Sequence, residues 1–208
     1  EHFVILEPVE TAKTATELIS QMDHAGIERA IVAHSTMIDF DPIEGNNNII
    51  QAINGFENRL TASWTILPEI TDKEFSTDSF FNDMSANNIK LLRAYPQINR
   101  YRLDGVTMGN QIDVISRRKI PLYLETRFGF DDIYSILKEF PKLTVIITNV
   151  GCWPSARYIY PLFKQYPNVY LETGDFTMLR GIEQVCAEFG AKRLLFGTNF
   201  PTNNMGCA

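Results

Sequence analysis

Seven short runs of aliphatic, aromatic and β-branched residues recur along this chain, each parted from the next by a helix-length stretch. That alternation limits the fold more than any other feature. The runs are RAIVAH (29–34), LTASWTIL (60–67), IKLLRAY (89–95), PLYLET (121–126), LTVIIT (143–148), NVYLET (168–173) and LLFGTN (194–199). Between them, TAKTATELISQMDHAG places Leu18, Ile19, Met22 and Ala25 at helical spacing, with Gly26 as the stop. In DDIYSILKEFP, Asp131 is the expected N-cap, Ile133, Ile136, Leu137 and Phe140 share a face, and Pro141 ends the helix. Asn46, Asn47 and Asn48 read as the polar start of a helix carrying Ile49, Ile50, Ile53 and Phe56.

Strand, helix, strand repeated this regularly implies right-handed βαβ units and a parallel sheet covered by helices. No GxGxxG follows the early strands, so the expected architecture is α/β, a (β/α)8 TIM barrel, rather than an open dinucleotide-binding sheet. HFVIL (2–6) is either its first strand or a loop after a strand lying before Glu1. On this reading part of the first strand and the last helix are missing from the chain. A length of 208 residues, 45% of them apolar, suits one domain over 1–208.

The net charge is −6 and the sequence pI about 5.1. Nucleic-acid binding needs clustered cations to neutralise phosphates, and the densest basic run, Arg117, Arg118 and Lys119, suits a solvated helix end. Cys152, Cys186 and Cys207 form no CxxC, which points away from a disulfide framework or structural zinc and toward a reducing, cytoplasmic setting. No apolar stretch approaches the roughly twenty residues of a spanning helix, so no membrane partner is expected.

In parallel barrels chemistry is built at the carboxyl ends of the strands. Reading those ends gives His34, Arg93 with Tyr95, Glu125 with Arg127, Asn149, Glu172 and Asn199. Arg93 suits a carboxylate through a bidentate contact. Glu125 shares strand parity with Tyr123 and Arg127, and its carboxylate is expected to pair with Arg93 or Arg127. Asn149, before Val150 and Gly151, is also a natural turn residue. Trp153, before Pro154, is placed to wall a pocket or to pack.

The phrases FPKLTVIITNVGCWPSARYIYPLFKQYPNVYLETG, AEFGAKRLLFGTNFP and ISQMDHAGIERAIVAH resemble the amidohydrolase superfamily, in its branch of amidohydrolase-related hydrolases and decarboxylases, over nearly the whole chain. The resemblance implies a barrel whose metal, usually zinc, is held by an HxH on strand one, a His ending strand five and an Asp ending strand eight, with another His after strand six. These groups activate water or polarise a substrate carboxylate. Here the three later positions fall on Glu125, Asn149 and Asn199, and no HxH occurs.

A neutral amide is a weak metal donor and no general base. The expectation is therefore that no cofactor is used, zinc or another divalent metal entering only if ligands precede Glu1. Glu125, Asn149 and Asn199 are the catalytic candidates, and Arg93, Tyr95, Arg127, Trp153 and Glu172 the substrate-binding ones. The implied function is a hydrolase or lyase acting on a small carboxylated or cyclic ester or amide substrate with an altered or absent metal site. The alternative is a catalytically inactive barrel that binds a small molecule or regulates. Barrels of this family often pair, so the resemblance admits a homo-oligomer.

Overall fold

All seven strand-like runs form strands, and all of them run parallel. The computed structural model describes residues 12–69, 76–151 and 156–205. The HFVIL segment, Trp153, Cys152 and Cys207 lie outside the described residues. The strands are β1 (Ala30–Val32), β2 (Leu60–Ala62), β3 (Trp64–Thr65), β4 (Leu92–Ala94), β5 (Leu122–Glu125), β6 (Val145–Thr148), β7 (Val169–Glu172) and β8 (Leu194–Leu195).

β1 and β2 pair with each other, and β3 to β8 form a six-stranded sheet in chain order. β2 and β3 are the two halves of the expected run 60–67. Its first half bonds to β1 and its second to β4, with the change of partner at Ser63, whose N–H donates to Val32 O at 2.8 Å. The sequential parallel order is that of a (β/α)8 barrel, although no ladder joins β8 to β1 among the described residues.

The helices are α1 (Ala15–His24), α2 (Thr36–Asp39), α3 (Pro42–Ala52), α4 (Thr77–Ala86), α5 (Gly105–Arg118), α6 (Asp131–Glu139), α7 (Ala156–Gln165) and α8 (Gly181–Phe189). Among the described residues none is long and apolar enough to cross a membrane. The Thr14 side chain caps α1 by accepting from Glu17 N–H, and Gly26 follows its end at φ +72°. Arg117 and Arg118 stand in the last turn of α5, as a helix C-terminus favours.

Two helix starts differ from expectation. α6 is preceded by Phe130, which makes no side-chain cap, so Asp131 is its first residue and serves the dipole rather than capping. α3 begins at Pro42, with the Asp41 carboxylate accepting from Ile43 and Glu44 N–H, and Asn46 lies buried in mid-helix. There its amide clasps Thr65: Nδ2 donates to Thr65 O at 2.8 Å and Oδ1 accepts from Thr65 N–H at 2.7 Å.

Strand parity separates two faces. Leu92, Leu122, Leu124, Val145, Ile147, Val169 and Leu171 are buried beside Ile112, Ile133, Ile136 and Ile159 of the helices. The alternate positions, Arg93, Tyr123, Glu125, Thr148, Tyr170 and Glu172, therefore share the inner face of the sheet. One face makes the core and the other carries the polar groups.

Candidate functional site

The polar inner face comes to its carboxyl end as a series of held groups. Arg93 on β4 sits opposite Tyr123 on β5, with its guanidinium carbon 4.7 Å from the ring centroid. Its Nε–H donates to Ser63 Oγ at 2.8 Å, while that hydroxyl donates to Val32 O at 2.8 Å. Among the described residues Arg93 forms no ion pair, so of the two partners expected for Glu125 the structure pairs it, loosely, with Arg127.

Glu125 ends β5. Its nearest cation is Arg127, Nε to Oε2 3.7 Å, which is beyond hydrogen-bond range. Oε2 is buried without a hydrogen-bond partner, although Arg127 itself is half exposed. The loose contact is thus a weak Coulombic neighbour, not a closed salt bridge. Tyr95 is 5% exposed; burial pushes its phenol up, the Arg93 cation pulls it down and Glu125 pushes it up again. Tyr95, Arg93, Glu125 and Arg127 are therefore electrostatic neighbours, and the phenol stays protonated at neutral pH.

Tyr123 is pushed up to about 12, chiefly by burial, with Arg93 opposing and Glu172 adding to the rise. Tyr95, Glu125, Phe128 and Asp132 also line a crevice of about 20 Å³ between the ends of β4 and β5 and α6, room for a single water.

Asn149 follows β6 at φ +55°, and Asn199 follows β8 at φ +49°. Asparagine is among the few residues that enter the left-handed region readily, so both amides have a backbone reason to be there. Asn149 Oδ1 is buried without a hydrogen-bond partner, and its carbonyl accepts from Thr126 Oγ1 at 2.7 Å.

Glu172 is buried with both oxygens engaged: Oε2 accepts from Thr148 Oγ1 and Oε1 from Gly174 N–H, each at 2.8 Å. It ties the ends of β6 and β7 and lies against Gly197. His34 Nδ1 accepts from Thr36 N–H, a satisfied local bond.

The structure thus brings together Arg93, Tyr95, Glu125 and Arg127. Asn149 follows β6, next to Glu125's register partner Thr148, and Asn199 stands at the β8 end. The sequence reading missed Ser63, Thr148 and Gly197 as its partners. The period-two pattern of LTASWT and VIIT puts Ser63 and Thr148 on the inner face, which is the signal that was available.

No protein-family model and no curated protein matches this sequence. Solved structures do. An uncharacterized TIM-barrel protein from Bordetella bronchiseptica superposes with a TM-score of 0.70 at 18% identity, over 93% of this chain and 73% of that one. A 5-carboxyvanillate decarboxylase from Novosphingobium aromaticivorans, with manganese and 4-hydroxy-3-methoxy-5-nitrobenzoic acid, gives 0.67 at 15% identity over 90% and 70%. A dihydroxybenzoic acid decarboxylase from Polaromonas sp. JS666, with manganese and 2-nitroresorcinol, gives 0.64 at 16% identity over 92% and 77%. The fold is the α/β TIM barrel, and these neighbours fit the amidohydrolase resemblance of the sequence.

The two manganese-bound barrels overturn the expectation that no cofactor is used: a divalent metal accompanies proteins of this fold. The described residues fit such an ion in part. Glu125 Oε2 and Asn149 Oδ1 are hard oxygens left without hydrogen bonds, the donor type that manganese favours over zinc. Among the described residues no group of three His, Cys, Asp or Glu side chains could hold a metal.

Proposed function

We propose that this barrel is a lyase or hydrolase of amidohydrolase type, acting at the carboxyl ends of its strands on a small carboxylated substrate with an oxygen-bound divalent cation. The observation that carries this reading is that two strand-end oxygens, Glu125 Oε2 and Asn149 Oδ1, are buried without hydrogen bonds. A buried polar atom without a partner is costly, and a cation within reach of both oxygens would satisfy them.

Glu125 and Asn149 are the described residues that would hold the ion. When bound, it supplies Lewis-acid polarisation of a ligand oxygen. The chain's own residues supply the rest: Arg93 and Arg127 attract and orient an anionic ligand, and Tyr95, kept neutral by burial, offers an O–H donor. Glu172 serves as the brace that holds the strand ends, since both of its oxygens are already engaged. The decarboxylases of like fold, crystallised with benzoic-acid and resorcinol ligands, support carboxylated aromatic compounds as the class to try first.

The test is carbon dioxide release and ester or lactone hydrolysis by the manganese-loaded chain across hydroxybenzoates and small carboxylated lactones. Turnover that chelation removes supports the reading; no turnover on any of them contradicts it.

A second reading, a binding barrel without catalysis, is supported by one observation. Asn149 and Asn199 are neutral amides, which offer hydrogen bonds to a ligand but no charge and no general base. Ligand binding without turnover in the same assay favours that reading.

A further inference from the structure

Arg93 is held more firmly than an arginine at a solvated strand end needs to be, and in one particular way. Its Nε–H is spent on Ser63 Oγ. The Ser63 hydroxyl proton is directed to Val32 O, so the lone pairs of that oxygen are what face the guanidinium. Val32 O also accepts Ser63 N–H, and this double contact fixes the serine where the strand changes partners from β1 to β4. The guanidinium carbon lies over the Tyr123 ring, 4.7 Å from its centroid. The two restraints act on the Nε edge and on the centre of the guanidinium. They leave the terminal Nη fork as the part of the cation without an ion pair among the described residues.

A structural arginine ordinarily ends on a carboxylate or on backbone carbonyls, as Arg193 does here on Pro167, Phe163 and Tyr166. Arg93 instead stands on the polar inner face. Of the two inner-face carboxylates, Glu125 on the adjacent strand makes no ion pair with it, and Glu172, three strands away, has both oxygens taken by Thr148 and Gly174. An oriented fork that meets the neutral Tyr95 hydroxyl but, among the described residues, no carboxylate matches the planar two-oxygen geometry of a ligand carboxylate.

We propose that Arg93 is the seat of a ligand carboxylate in the barrel mouth, and that Ser63 and Tyr123 are positioning residues which aim its Nη fork. The seat deepens the reading above, since it rests on a small carboxylated ligand at this end of the barrel, and it needs no metal. Ser63 sets the rotation of the fork through Nε, and the Tyr123 ring sets its plane; the Tyr123 hydroxyl has no part in it.

The test is titration of the full chain with benzoate, and with neutral benzamide as control, by calorimetry in EDTA and again with manganese. Benzoate is expected to bind at least about tenfold more tightly than benzamide in either condition, the worth of a charge-assisted pair. Arg93→Lys should lose about tenfold, because a point charge cannot replace the fork. Ser63→Ala and Tyr123→Leu should each lose several-fold, Tyr123→Phe should bind as the parent does, and far-ultraviolet circular dichroism should show each variant folded.

Equal binding of benzoate and benzamide overturns the seat. So does unchanged benzoate affinity in folded Arg93→Lys or Ser63→Ala. The two proposals fail separately: Arg93-dependent benzoate binding without turnover upholds the seat and contradicts the enzyme, whereas turnover with a KM that Arg93→Lys leaves unchanged upholds the enzyme and contradicts the seat.

Discussion

Glu172 occupies the space in which a side chain at position 197 would begin: a Cβ built on Gly197 falls 1.3 Å from Glu172 Oε1 and 2.1 Å from its carboxyl carbon. The glycine of LLFGTNFP is therefore there to admit the carboxylate that ties the ends of β6 and β7. Gly197→Ala should displace that carboxylate from Thr148 Oγ1 and Gly174 N–H, and so cost about 2–4 kcal/mol through overpacking together with broken buried hydrogen bonds. Denaturant midpoints measure it; a loss below about 0.5 kcal/mol would show that the carboxylate moves aside freely.

Asn46 does for Thr65 what a neighbouring strand would do, one donor and one acceptor to one backbone residue. Asn46→Leu keeps the volume and strands the Thr65 N–H and C=O, an expected loss of about 2–4 kcal/mol. Urea unfolding monitored by Trp64 fluorescence reads it directly.

Tyr123 links pH to stability. Its phenol is pushed up to about 12 in the fold from the usual 10, burial being the main cause. Between those two values the unfolded chain has lost a proton that the folded chain keeps, so stability falls as pH rises through that window and is fully present below pH 10. The thermal midpoint should drop from pH 10 to 12. Tyr123→Phe should remove part of that drop but not all, because burial also pushes Tyr95 and Tyr101 up.

The strand order, the two sheet faces and the chemical character of the strand ends were legible in the sequence. Apolar runs bounded by polar residues mark buried parallel strands whatever their partners, and period-two parity then sorts Arg93, Tyr123 and Glu125 from Leu92, Leu122 and Leu124. What was not legible depends on three dimensions. Asparagine in mid-helix looks the same whether it clasps a strand, as Asn46 does, or starts a helix. Arg93 and Arg127 were both expected as partners for Glu125, yet only Arg127 stands near it, and Ser63, thirty residues before Arg93 in the chain, takes the Arg93 Nε–H. Glu172 looked open to ligand until Thr148, Gly174 and Gly197 closed around it.

Asn199 stands at φ +49°, a conformation that aspartate also accepts. Asn199→Asp should leave the denaturation midpoint within about 0.5 kcal/mol of the parent. It should also tighten manganese binding by about tenfold through one added charged oxygen at the mouth. Isothermal titration with manganese reads the gain, and unchanged affinity would place Asn199 away from the ion.

Glu125 and Asn149 are the proposed oxygen donors to a divalent cation. Manganese titration followed by electron paramagnetic resonance, on the parent chain and on Glu125→Ala and Asn149→Ala, tests that assignment most directly. A single saturable site is expected in the parent, weakened at least about tenfold by each substitution. No saturable site in the parent, or a site that both variants keep at full strength, would contradict it.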